Sequence, residues 1–257
     1  MTSPLSSEAH GAEVAALAAR LLACRTDLAR VLGEPVHRLL APERAADVAA
    51  RWLDWRARCP ERHPPPHFDA EITPSPAAIV AALPVLPHGA GALAAVPPGE
   101  LASALARAGW VPLLALAGVR TTPASVVDGT AVPPDDVDLL AAADRPVGAD
   151  GLSAAARALA KHAARAVVGG FWGVEAGGVA ARNARARGIV ARILASRTWW
   201  NAFGHYRHEV VVEAREPGGH GVRWSRGGAE LVGFLDPFDP PGSNPPPQSE
   251  LGPGSSS

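Results

Sequence analysis

The sequence predicts an α+β fold: an alanine-rich helical N-terminal region packed on a C-terminal domain of two long helices and a small antiparallel β-meander. Three observations predict it. Apolar side chains recur at three- and four-residue steps through 8–32 and again after Pro42. Two further helical segments follow at 151–168 and about 178–197. Strand-like runs separated by glycine turns then fill 207–235. These observations divide the chain into a helical, proline-interrupted region (1–150), an α+β domain (151–236) and a Pro/Gly/Ser-rich tail (237–257) expected to be disordered.

The first helix carries Val14, Leu17, Leu21, Cys24, Leu28 and Val31 on one stripe, and Gly33 stops it. The second starts at Pro42-Glu43, where proline suits the first turn and glutamate the helix dipole. It places Val48, Trp52, Trp55 and Cys59 on one face, so the two stripes form a helical hairpin with both thiols buried. Proline holds 59–76 extended, with His63 and His67 as exposed loop residues. Short helices follow at 77–83, 99–108 and 135–143. Periodicity leaves "WVPLLALAGV" (110–119) open between a buried strand and a helical turn. The helix 151–168 exposes Lys161, and Gly169-Gly170 closes it. Strands at 207–215, 221–226 and 229–235 complete the meander.

The chain of 257 residues is 47% apolar and 19% charged, which suits a folded core rather than global disorder. Its net charge of −1 conceals an asymmetry. Residues 1–150 carry twelve basic and seventeen acidic groups, whereas 151–236 carry twelve basic and six acidic. The positive second half either attracts anions or faces the acidic first half. Two cysteines make no disulfide framework. The N-terminus lacks the pattern of a secretory signal, and no apolar run is long enough to span a bilayer, so a cytoplasmic protein is expected.

Chemically capable residues crowd into 198–224, which holds three tryptophans and three histidines. On the preceding helix, Arg182 and Asn183 fall inside the apolar arc near the N-terminal end. There they would either hold an anion together with helix N–H groups or serve internal pairing. On the next strand, Glu209, Glu213 and Arg215 share one face with Arg223 across the turn. That face is either a solvated, charge-paired surface or a cleft with Glu213 as base and Arg215 and Arg223 as anion clamps. His205 and His208 are candidates for proton transfer, being ionisable near neutrality. Trp200 is a candidate for stacking on a base or sugar, with core packing as the alternative. His205, His208 and His220 are spaced H-x2-H-x11-H, but no H-E-x-x-H helix exists and both cysteines are remote, so no metal site is assigned. No motif names a cofactor.

The ordered motifs ARALAKH (156–162), FWG (171–173), RN (182–183), GHGVRW (219–224) and GFLDP (233–237) resemble a group of uncharacterised proteins of bacteria and eukaryotes. In that group tyrosine stands at the place of His220 and glutamate at the place of Asp236. The resemblance covers roughly 152–237 and implies one cohesive C-terminal domain, with no activity attached.

Two functional expectations follow. The first is binding or processing of a small anionic ligand, phosphate- or sugar-bearing, held by Arg182, Asn183, Trp200, Glu213, Arg215 and Arg223. The second is a non-catalytic module that binds a protein or single-stranded nucleic acid, with nucleic acid the less expected partner. Oligomeric state is not legible in the sequence.

Overall fold

The computed structural model describes residues 7–163, 170–173, 176–205 and 209–238. The helices are α1 (Ser7–Leu32), α2 (Pro35–Leu39), α3 (Pro42–Arg58), α4 (Pro76–Ala82), α5 (Ala90–Ala94), α6 (Pro98–Ala108), α7 (Trp110–Leu116), α8 (Asp136–Asp144), α9 (Ala154–Ala163) and α10 (Val179–Ser196). Four strands follow: β1 (Trp199–His205), β2 (Glu209–Arg215), β3 (Gly221–Ser225) and β4 (Glu230–Leu235). They form an antiparallel sheet in the order β1-β2-β3-β4. The fold is α+β, as the periodicities predict.

Within the apolar stripe of α1, Leu17, Leu21, Cys24 and Leu28 are fully buried and Val14 is half-buried, but Val31, in the last turn, is exposed, because the elements that cover the stripe do not reach the helix end; α1 packs on α3, α5 and α6. Gly33, at φ +94°, ends α1 in a conformation that side chains resist. Proline opens α2, α3, α4 and α6, where its missing N–H costs no helix hydrogen bond. The open question over 110–119 resolves as helix α7, with Pro112 in the first turn.

Cys24 is buried as expected, and Cys59 is not. Cys59 is the left-handed cap of α3 (φ 44°), its N–H reaching the Trp55 carbonyl at 2.8 Å, and its thiol is exposed. The stripe points it inward only if the helix continues, and the helix ends there. His63 is half-buried rather than exposed: its Nε2 lies 2.9 Å from the Pro74 carbonyl oxygen, with Trp55 edge-on.

One buried apolar cluster runs through both halves of the chain. The halves also join at the sheet edge. The Arg120 N–H donates to the Trp200 carbonyl at 2.7 Å, the Trp200 N–H to Gly118 at 3.2 Å, and the Val126 N–H to Ala202 at 2.8 Å. Residues 118–126 therefore flank β1. Behind them Arg120, 1% exposed, is clamped by Glu71: Nε to Oε1 at 2.6 Å and Nη2 to Oε2 at 2.5 Å. Its guanidinium also sits 4.6 Å from the Trp199 ring centroid. This buried pair ties the proline-rich connection to the sheet. Residues 164–168 of the expected helix and 239–257 of the expected tail lie outside the described residues.

Candidate functional site

Alternation sorts the sheet into two faces. Trp200, Ala202, Val212, Ala214, Val222 and Trp224 enter the main core with Ile189, Val190 and Ile193 of α10. Asn201, Phe203, Glu213, Arg215 and Arg223 point the other way, as the register Asn201↔Glu213↔Arg223 requires. The sheet thus stands between α10, which bears Arg182 and Asn183, and the Glu213 group. The predicted ligand-binding set does not share one hollow.

On the face away from α10, Glu213 is 5% exposed and held by two arginines. Arg223 donates through Nε at 2.6 Å and through Nη2 to Glu213 Oε1, and Arg215 Nε lies 3.6 Å from Oε2. Arg215 is itself buried, which lowers its pKa; Glu213 opposes that shift and Arg223 adds to it. Its Nη1 donates to the carbonyls of Gly219 (2.7 Å) and Asp236 (2.8 Å), and Phe238 lies against its guanidinium at 4.1 Å. Asn201 Oδ1 accepts from the Ser125 hydroxyl at 2.7 Å. Of the expected cross-strand group, Glu213, Arg215 and Arg223 come together and pair internally, Glu213 and Arg215 buried and Arg223 half-buried, whereas Glu209 is exposed.

The remaining predicted residues sit elsewhere. Asn183 staples α10 to the start of α9: its Oδ1 accepts from the Ser153 N–H at 2.9 Å and its Nδ2 donates to the Gly151 carbonyl at 3.0 Å. Arg182 is half-buried on the same helix. Trp200 is 2% exposed on the core face, and Trp199 is 1% exposed on the other, so neither offers an open stacking surface. His205 ends β1, and His208 lies outside the described residues.

A second group escaped prediction although the motifs contain it. At the end of the sheet where β2 finishes and β3 begins, four of the five quoted motifs meet. His162 Nε2 lies 2.9 Å from Asp236 Oδ1, and the Trp172 indole N–H donates to the same oxygen at 2.9 Å. His220 Nδ1 lies 3.1 Å from Glu216 Oε1, and the His220 ring stacks on Phe171 at 3.8 Å and 7°. Trp172 stands edge-on between the two imidazoles, at centroid distances of 4.7 Å from His162 and 5.3 Å from His220. The Arg192 guanidinium covers Phe171 at 4.3 Å. Burial works against ionisation of Asp236, but hydrogen bonds from Trp172 and His162 outweigh it and hold the carboxyl below its ordinary range. Glu216 is likewise held low against burial by the N–H of Gly218 and by His220.

Two histidines, each backed by an ionised carboxylate, stand on either side of one indole. A carboxylate fixes the tautomer and orientation of an imidazole and stabilises its protonated form. The His162 and His220 side chains keep 16% and 22% of their surface exposed, so neither ring is sealed from solvent. Arg215 links this group to Glu213 through the Asp236 carbonyl. Among the described residues, no group of three or more His, Cys, Asp or Glu side chains is arranged to hold a metal ion.

Residues 140–236 match the family model described as the CdiA C-terminal tRNase toxin domain. The match covers less than half of the chain and contains both clusters. No curated protein and no solved structure matches. The match overturns the expectation of a small anionic ligand, because the family it names acts on tRNA. It also raises nucleic acid above the low rank given to it as a partner, and it gives a named family to a region whose resemblance named none.

Proposed function

We propose that residues 140–236 form a toxin-type nuclease that cleaves tRNA, acting in the cytoplasm where tRNA is found. The family match carries this reading, and the two histidine–carboxylate pairs supply chemistry that suits it. RNA carries its own nucleophile. One imidazole accepts the 2′-OH proton, the 2′ oxygen bonds to the adjacent phosphorus, and the bond from phosphorus to the 5′ oxygen breaks. The other imidazole gives the leaving 5′ oxygen its proton. The products are a 2′,3′-cyclic phosphate and a 5′-hydroxyl, with one proton moved from one histidine to the other. Asp236 and Glu216 hold the rings in place and steady the imidazolium. Arg192, exposed and lying over Phe171, supplies a cation beside the paired histidines that can offset the charge developing at phosphorus.

A second reading rests on the buried Glu213 between two guanidiniums: Glu213 as base, with Arg223 as the phosphate clamp. One assay separates the two. The full chain is incubated with tRNA, and cleavage and end chemistry are read on gels. His162→Ala and His220→Ala should each lower cleavage by about 100-fold or more, with circular dichroism unchanged. If both variants cleave normally and Glu213→Gln does not, the chemistry belongs to the sheet face. If the unaltered chain leaves tRNA intact, the nuclease reading falls.

A further inference from the structure

A cleft of about 340 Å³ lies where α3 meets the junction of α10 and β1. Arg44 and Arg51 of α3 line it from one side, and Arg197 and Thr198 from the other. Three guanidiniums face two lining carboxylates, Asp47 and Asp136. Arg197 donates to Asp136 at 2.8 Å, and Arg44 to Asp135 at 2.9 Å. The described partner of Arg51 is the Leu116 carbonyl, so its charge lacks a hydrogen-bonded carboxylate. Burial lowers the pKa of Arg44 and Arg51; Asp135 opposes that shift at Arg44 and Asp47 at Arg51, and Arg197 adds to both. Trp199 and Trp200 close the wall, and the indole N–H of each is buried without an acceptor among the described residues. Among the side chains that line the cleft, guanidiniums outnumber carboxylates by three to two.

Its position gives that imbalance a meaning. The cleft opens at the start of β1, and the paired histidines stand where β4 ends. Trp199↔Arg215 and Gly221↔Leu235 put both at the same end of the sheet. Three strand spacings separate them, about 14 Å. We infer that this cleft holds a backbone phosphate of the RNA a short way along the strand from the scissile bond, anchoring the strand across the sheet end. The inference rests on the nuclease reading for its substrate, but its test reads binding and does not need cleavage.

Ala195, exposed on the cleft rim near the end of α10, allows the charge to be changed without breaking a contact. Ala195→Glu and Ala195→Lys are compared with the unaltered full chain for tRNA affinity at several salt concentrations. The glutamate should weaken binding about tenfold at 0.1 M salt and reduce the slope of log affinity against log salt by about one. The lysine should do the opposite. A dinucleotide substrate, too short to reach the cleft, should be cut equally by all three. Loss of affinity in both variants points to damaged packing and overturns the inference, as does equal affinity in all three. A chain that binds tRNA with these opposite shifts but never cuts it keeps the cleft and loses the catalytic reading. A chain that does not bind tRNA loses both.

Discussion

Replacing Glu71 with alanine should destabilise the protein far more than loss of an ordinary surface ion pair. Arg120 is 1% exposed, and Glu71 supplies two of its hydrogen bonds, at 2.6 and 2.5 Å. Removing one partner of a buried pair strands the other charge, at a cost of about 3–5 kcal/mol. The Pro64 carbonyl and the Trp199 ring still face the guanidinium, which places the loss toward the lower end. For a chain of this size each kcal/mol moves the melting temperature by about 2–4 °C, so a fall of roughly 6–20 °C is expected. Calorimetry or denaturant melts of the full chain measure it. Glu71→Gln keeps one acceptor and should lose less. The double variant Glu71→Leu/Arg120→Met removes both charges together and should recover most of the loss, because the desolvation penalty disappears with them. A Glu71→Ala loss below about 1 kcal/mol, or a double variant no better than the single, would refute the argument that a buried charge anchors the proline-rich connection.

Asp236 and Glu216 are both held below their ordinary carboxyl range, so the folded chain binds fewer protons there than the unfolded chain. Their contribution to stability is present above the unfolded values, 3.8 and 4.5, and is lost as pH falls through the folded ones. Asp236→Asn/Glu216→Gln should flatten the acid limb of a stability–pH curve; an unchanged limb counts against the pairing. Burial pushes the Cys24 thiol up to about 11, while Cys59 is exposed. Native alkylation followed by peptide mapping should therefore label Cys59 and spare Cys24, and equal labelling would place the end of α3 elsewhere. Cleavage by the paired histidines should follow a bell-shaped pH profile, since one ring must be neutral and the other protonated. A rate rising monotonically with pH would remove the acid–base pair.

The helical half was legible where its signals are local. The stripe of α1 from Leu17 to Leu28, that of α3 from Val48 to Trp55, the proline start of α3 and Gly33 are written in neighbouring residues. The strand β1 was missed because Trp199-Trp200 reads as a helix-end anchor and the run holds no β-branched residue. Its strand state comes from pairing with β2 and with residues 118–126, a partner remote in the chain. Period-two alternation placed Glu213, Arg215 and Arg223 together correctly, since strand geometry alone decides that. Their burial was not legible, because it depends on what covers the face. The convergence of His162 and Asp236 spans 74 positions. Its one sequence signal was the shared set of motifs, four of which supply the cluster.

By itself, then, the sequence determined what short-range physics determines: which segments wind into helices, where they stop, and which strand residues look the same way. Only the tertiary structure decided which side chains face one another across the molecule. The sheet sets Arg182 apart from Glu213, and its end brings two histidines to two carboxylates. The reason is that a helix or strand obeys contacts a few residues apart, whereas a catalytic site is built from elements that meet only once the core between them has closed.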